Sequence, residues 1–379
     1  MTEQASTTED PGFTRRELSS LRRALVRWSE KNQRPLPWRN IGDPYRVWIS
    51  EVMLQQTTVA AVVPYYERFL AKFPDVHALA AADEADVLRL WEGLGYYSRA
   101  RNLHRGAQEI VSRLGGIFPR DVAALVELPG IGRYTAGAIA SFAFDEQAPI
   151  VEANTLRLYA RLLGYPGDPR SSAGQQVLWQ FAEDVLPHDK PGQFNQALMD
   201  LGAVVCTPTE PKCDGCPLAT CCRAFRSQRV GEIPPPAKRP VITNLWAYSV
   251  AVRHEGRYLL RRCQPGERWA GLWDFLRWER ETPLTSPADC ERELSRLIQE
   301  STGLRIQLGP QLAEFKHGVT RYRITLNCFL AERISGRLSR AGEWDWAKPD
   351  DFSRYALSVT GRKFANRITS SLFSQNAKV

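Results

Sequence analysis

Apolar residues recur at intervals of three and four from about residue 15 to about residue 205, and short Pro/Gly punctuation separates the segments. This pattern predicts a run of helices, clearest at Arg46–Gln55, Ala60–Phe73, Val87–Leu94, Leu103–Leu114, Asp121–Leu128, Tyr134–Phe144, Thr155–Leu163 and Gly174–Val185. No internal repeat is evident. After Pro240 the period changes. Trp246, Tyr248, Val250 and Val252 alternate with other residues, His254-Glu255-Gly256 reads as a turn, and Arg257–Arg262 reads as the returning strand of a hairpin. A helix over Ala288–Glu300 and a strand-like run at Tyr322–Phe329 complete an α+β pattern. Between the two patterns lies Arg226–Pro240, with the run Pro234-Pro235-Pro236. The expected organisation is a disordered tail (1–14), a helical domain (15–225), a linker (226–241) and an α+β domain (242–375).

Composition narrows the class. The chain has 379 residues, too many for one ordinary core, and 43% of them are hydrophobic, as in a soluble globular protein. The formal net charge of +8 fits a polyanionic partner. No stretch approaches the roughly 20 continuous apolar residues of a membrane span, and the first 20 residues hold no apolar leader. The eight cysteines are therefore expected in a reducing cytoplasm, where ligation of a metal is favoured over disulfides.

Four of the cysteines have an informative spacing. Cys206, Cys213, Cys216 and Cys222 form C-x6-C-x2-C-x5-C. A [4Fe–4S] cluster needs four thiolates on a compact loop. A tetrahedral zinc site uses the same ligands, but usually in two CxxC knuckles on a longer arm, and here there is a single CxxC. Cys221 is a fifth, adjacent cysteine read as a non-ligand, with a register swap against Cys222 left open. Lys212, Arg223 and Arg226 flank the loop and suit either phosphate contact or plain solvation.

A second motif is Leu128-Pro129-Gly130-Ile131-Gly132, set between two helical patterns and followed by the small residues Thr135-Ala136-Gly137-Ala138. Gly130 and Gly132 allow a tight turn with close backbone approach. Free N–H groups at the start of the second helix can then hold a phosphate without reading bases. Residues 121–142 thus read as a helix–hairpin–helix, with an ordinary interhelical bend as the alternative.

Together with Ser50-Glu51-Val52-Met53-Leu54-Gln55-Gln56-Thr57, these motifs resemble the MutY adenine DNA glycosylases of the endonuclease III superfamily. Leu36-Pro37-Trp38-Arg39, Gly93-Leu94-Gly95-Tyr96-Tyr97-Ser98-Arg99 and Phe194-Asn195-Gln196-Ala197-Leu198 match as well, so the likeness runs from about Leu36 to Cys222 and continues more weakly beyond. It implies an all-α helix–hairpin–helix glycosylase fold with an iron–sulfur loop, followed by a Nudix-like α+β domain. It also implies removal of adenine mispaired with 8-oxoguanine or guanine in double-stranded DNA, by a monomeric enzyme at the nucleoid. Lyase members of the superfamily carry a lysine two residues after the last hairpin glycine, and that amine forms a Schiff base. Here the residue is Tyr134, which implies base excision without strand cutting.

Hydrolysis of an N-glycosidic bond calls for a protonated carboxyl that improves the leaving group and an ionised carboxylate that stabilises a cationic sugar. Glu51, sharing a helix face with Val47 and Leu54, is the expected acid, its pKa raised by an apolar wall. In the resemblance it protonates adenine at N7. Glu152, just before a helix, is the expected charged carboxylate, favoured by the helix dipole. The family usually has aspartate there, so Glu152 is a departure. Asn154 matches a residue that orients water or carboxylate, and Tyr134 one that contacts the reacting centre. Helix capping is the plain alternative for Glu152 and Asn154.

An adenine inside a duplex must be flipped out to react. Gln56 and Tyr96 match the residues that wedge into the gap. Trp38, Arg39 and Gln196 match positions of the adenine pocket. In the C-terminal domain, Arg296–Leu304 resembles the end of a Nudix box, but Leu297 and Ser301 replace two metal-binding glutamates, and Thr282 and Ala288 fill the upstream positions. Hydrolysis of a magnesium pyrophosphate is not expected there. The family's Phe-Ser-His loop, which reads 8-oxoguanine, is matched by Val319-Thr320-Arg321, so Thr320 and Arg321 are the expected DNA contacts. The rival readings are a bifunctional endonuclease III-like glycosylase/lyase, a non-catalytic iron–sulfur DNA-binding protein and a Nudix hydrolase.

Overall fold

The computed structural model describes residues 12–237, 241–339 and 342–376. Residues 1–11 of the expected tail and 238–240 of the expected linker lie outside the described residues. Two compact units result, one of residues 12–81 and 102–237, the other of residues 82–101, 241–339 and 342–376.

The first unit is helical. The Pro44–Leu54 helix begins at Asp43, whose carboxylate accepts from the N–H groups of Tyr45 and Arg46, with proline at the first helical position. It ends where Gln56 takes a left-handed φ of 58°. Tyr45 and every residue from Val47 to Met53 are buried, which explains why its apolar periodicity is blurred. It packs against the Arg133–Phe144 helix. Small residues fill the Arg133–Phe144 helix: Ala136, Ala138 and Ala140 are fully buried, and a Cβ on Gly137 would sit 2.4 Å from the carbonyl oxygen of Pro149 in the segment that follows the helix. The Ala153–Leu163 and Pro191–Val204 helices contribute Leu158, Tyr159, Leu198 and Leu201 to a shared core that reaches Cys206 and Leu218 at the cysteine loop.

The first hairpin helix is shorter than expected, Val122–Val126, with Asp121 as its cap rather than its first turn. Likewise the helix expected over Val87–Leu94 is Glu84–Leu90. Gly93, Gly95 and Tyr96 all take positive φ beyond it, and no helix continues through such residues.

The second unit is an α/β/α layer built on seven strands among the described residues: β1 (Thr243–His254), β2 (Arg257–Arg262), β3 (Trp273–Asp274), β4 (Leu276–Arg280), β5 (Leu304–Val319), β6 (Tyr322–Gly336) and β7 (Trp344–Ala347). The main order is β3-β2-β1-β6-β5, with β4 on β1 and β7 on β2. β1 and β6 are parallel and the other pairs antiparallel, so the sheet is mixed. The expected β1–β2 hairpin turns at Glu255 and Gly256, both at positive φ, as a tight hairpin requires. β1 alternates between two buried faces rather than between core and solvent. Tyr248, Val250 and Val252 meet Leu294 and Ile298 of the Pro287–Thr302 helix, while Ala247 and Ala251 share a core with Phe364 and Ile368 of the Val359–Asn376 helix. That last helix carries no periodic signal strong enough to have been anticipated.

Residues 82–101 were expected inside the helical domain and group instead with the second unit. Glu92 accepts from Arg362 Nε at 2.7 Å and Nη2 at 3.0 Å, Arg101 Nη1 donates to the Ala270 carbonyl at 2.5 Å, and Tyr97 Oη donates to the Leu357 carbonyl at 3.5 Å. Such partners lie far off in sequence and leave no trace in local periodicity.

Candidate active site and cysteine loop

Glu51 lies in the middle of the Pro44–Leu54 helix and is only 3% exposed. Tyr134, in the first turn of the facing helix, donates its hydroxyl to Glu51 Oε2 at 2.5 Å. Burial pushes the Glu51 carboxyl up to about 7, against the opposing pull of the Tyr134 hydrogen bond and the Arg39 cation, with Glu152 adding a further upward push. Burial and the two neighbouring carboxylates also hold the Tyr134 phenol well above its ordinary value. A carboxyl in this setting keeps its proton near neutral pH and can deliver it.

Glu51 opens into a small pocket whose wall includes Trp38, Arg39, Leu54 and Gln196. The three residues matched to the adenine pocket therefore do meet the candidate acid. Trp38 is fixed edge-on to Tyr66, with ring centroids 5.2 Å apart. Arg34 and Asp200 were missed by the sequence reading. Asp200 Oδ1 accepts from Arg34 Nε and Arg39 Nη2, each at 2.7 Å. The available signal was the spacing of Gln196 and Asp200, four apart on one helix face.

Glu152 caps the Ala153–Leu163 helix. Its Oε1 accepts from the Thr155 N–H at 2.9 Å, its Oε2 from Asn154 Nδ2 at 3.3 Å, and Thr155 completes a capping box. The capping alternative is thus realised, and the carboxylate still lies within electrostatic reach of Glu51. The dipole was expected to keep Glu152 readily charged. Instead its pKa is raised, because burial outweighs the stabilising hydrogen bonds from Asn154 and Thr155 and the Arg157 cation.

At the hairpin, Gly130 has φ +78° and a Cβ there would lie 2.6 Å from that of Asn102. Gly132 caps the second helix with no side-chain bond, and open space surrounds its Cα. Only Gly130 is demanded by the local backbone; Gly132 leaves room beside the helix N–H groups. Gln56 belongs to the first unit, and Tyr96, Thr320 and Arg321 to the second. Gln56, Tyr96 and Thr320 all take left-handed φ, between 48° and 58°. Tyr96 is 47% exposed. Thr320 and Arg321 form the tip joining β5 to β6, where Arg321 donates to the Tyr322 hydroxyl at 3.0 Å.

Cys206, Cys213, Cys216 and Cys222 line one cavity together with Arg161 and Leu218. Cys221 is not part of that wall, and its thiol donates to the Leu218 carbonyl at 3.2 Å. Arg161 Nη1 lies 3.3 Å from Cys206 Sγ. Burial and mutual repulsion push up the thiols of Cys213, Cys216 and Cys222. Four thiols converging on one cavity, beside an arginine suited to a net negative centre, fit a tetrathiolate group. Among the described residues no set of three ligating side chains closes on a single ion position.

Residues 49–184 match the model of the HhH-GPD superfamily base excision DNA repair proteins, and residues 247–367 match the NUDIX domain. An adenine DNA glycosylase of Buchnera aphidicola (subsp. Schizaphis graminum) is 37% identical over 252 residues, covering 66% of this chain and 73% of that protein. This chain belongs to the adenine DNA glycosylase family. The mouse adenine DNA glycosylase is 44% identical over 235 residues, 60% of this chain. The chain spans about half the length of the mammalian relatives it matches, 46% in that case. Among solved structures, a thermostable thymine-DNA glycosylase superposes with a TM-score of 0.52 at 29% identity, covering 56% of this chain and 98% of that one. Among the described residues no helix is long and apolar enough to cross a membrane.

Proposed function

We propose that this chain excises adenine mispaired with 8-oxoguanine or guanine in double-stranded DNA, by hydrolysis of the N-glycosidic bond and without cutting the strand. The observation that carries the reading is the pairing of Glu51 with Tyr134: a buried, proton-holding carboxyl opening into a pocket, with a phenol where a lyase needs an amine.

Binding begins at the hairpin, where the N–H groups beyond Gly132 take a phosphate. Gln56 and Tyr96, held at left-handed bends, fill the space left by the extruded nucleotide. Trp38, Arg39 and Gln196 receive the adenine, and Glu51 passes its proton to N7 as the bond to the sugar lengthens. Glu152, ionised and held by Asn154, stabilises the positive charge that develops on the sugar. Thr320 and Arg321 meet the base opposite. We further assign a [4Fe–4S] cluster to Cys206, Cys213, Cys216 and Cys222. Bound there, it supplies a rigid cross-link for the loop. The protein acts as a monomer on nucleoid DNA in the cytoplasm.

Single-turnover reactions with duplexes carrying adenine opposite 8-oxoguanine, guanine or thymine test the reading. Product strands should break only after hot alkali. Breakage without alkali would favour the glycosylase/lyase alternative, and intact adenine in all three duplexes would remove the proposal. Iron and acid-labile sulfide analysis of the purified chain separates a cluster from zinc.

A further inference from the structure

Asp200 is 2% exposed, and one of its oxygens takes hydrogen bonds from two arginines. A buried carboxylate is costly unless paired, and a structural ion pair can usually be exchanged for apolar packing. The helix that carries it places Gln196 one turn earlier, and Gln196 Oε1 is buried without a hydrogen-bond partner. Arg39 Nε is buried without one as well. The bond to Asp200 occupies Nη2 of Arg39 and leaves Nε without a partner, and Arg39 and Gln196 both line the pocket that holds Glu51. A donor and an acceptor thus stand ready beside the acid, as the edge of a flipped purine requires.

The charge balance is equally specific. Groups acting on Glu51 are Tyr134, Arg39 and Glu152; those acting on Arg39 are Asp200, Arg34, Glu51 and Tyr134. Arg39 draws the Glu51 proton away, and Asp200 is the carboxylate bonded directly to that guanidinium.

We propose that Asp200 is a positioning residue for base excision: it holds the Arg39 guanidinium so that Nε faces the adenine pocket, and it offsets the cationic charge that would otherwise strip the proton from Glu51. The proposal rests on the excision reading above. Asp200→Asn keeps the shape and removes the charge, so Arg39 acts on Glu51 uncompensated. Arg34→Gln leaves Asp200 to serve Arg39 alone and acts in the opposite sense. Asp200→Glu restores the charge.

The test is single-turnover adenine excision by the full chain from about pH 5 to about pH 9, with binding to an abasic-product duplex measured in parallel. Asp200→Asn should move the alkaline limb down by about one pH unit, so that excision above it slows about tenfold, with product binding unchanged. Asp200→Glu should recover most of the parent profile, and Arg34→Gln should move the limb upward. An unmoved limb in Asp200→Asn overturns the proposal, as does a loss equal at every pH that takes product binding with it. If Asp200→Asn does not fold, the Arg34→Gln profile decides, and a limb that stays or falls overturns the proposal. A parent protein that excises no adenine fails the excision reading itself, and this inference with it.

Discussion

Arg157 donates from Nη2 to Asn154 Oδ1 at 3.0 Å, and the same guanidinium reaches the start of the cysteine loop, with Nε 2.7 Å from the Cys206 carbonyl and Nη2 2.7 Å from that of Gly202. One side chain therefore ties the Glu152–Asn154 cap to the chain entering the loop. Arg157→Met keeps the stem and removes every donor, leaving buried carbonyls unpaired at a cost of about 1–3 kcal/mol each. Urea denaturation should show a loss of roughly 2–4 kcal/mol, and excision should slow, because Asn154 loses its anchor. Parent-like stability together with parent-like excision would mean that the bridge is idle.

The Glu51 carboxyl sets a pH dependence with a definite sign. It titrates at about 7 in the folded chain against an ordinary 4.5, so between these values the folded protein binds the extra proton. Stability must fall as pH rises through that window and change no further from this group above it. The shift corresponds to about 3 kcal/mol at most. Glu51→Gln should abolish excision yet be more stable than the parent at alkaline pH, with no gain near pH 4, where the parent is already protonated. Denaturation midpoints at the two pH values check this.

Excision itself should follow a bell. Glu51 must be protonated, which sets the alkaline limb near 7, and Glu152 must be ionised, which sets the acid limb above an ordinary glutamate because burial raises it. Tyr134→Phe removes the hydrogen bond that favours the ionised Glu51, so the alkaline limb should move upward. The product strand should stay uncut without alkali, since phenylalanine supplies no amine either. A limb that moves downward would contradict the assigned role of the hydroxyl.

Most of this was legible where function resides in short local patterns. The cysteine spacing, the Leu128–Gly132 turn and the Glu51 segment each name residues that the fold then places on one cavity, one hairpin and one pocket. What stayed hidden depends on distant partners. Asp200 looks like any helix carboxylate until Arg34 and Arg39 fold onto it, and Glu92 gives no sign that it will meet Arg362. The upward shift of the Glu152 pKa is hidden for a related reason: the helix dipole can be read from sequence, whereas the burial that outweighs the stabilising hydrogen bonds cannot.

Glu152 serves two tasks, and substitutions can part them. Glu152→Asp retains a side chain suited to the cap and a charge near the sugar, so excision should be preserved or raised. Glu152→Ala removes both, costing about 1 kcal/mol for the lost cap and nearly all of the excision rate. If Glu152→Asp instead loses most of its rate with its stability intact, the pocket has adapted to the longer side chain.

The two hairpin glycines should differ in what their substitution costs the fold. Gly130 combines a left-handed backbone with a contact that a Cβ would make at 2.6 Å from Asn102, so Gly130→Ala should lose about 1–3 kcal/mol and weaken duplex binding through the distorted turn. Gly132 has φ −89° and nothing within reach of a Cβ, so Gly132→Ala should fold as well as the parent. Its effect should appear only when DNA is present, because the added methyl group stands where a phosphate would approach the N–H groups of the following helix. Fluorescence anisotropy with an undamaged duplex at two salt concentrations separates the cases. Gly132→Ala should bind more weakly with a shallower salt dependence, one phosphate contact having been lost. Unchanged affinity and slope would place the DNA backbone elsewhere on the helical unit.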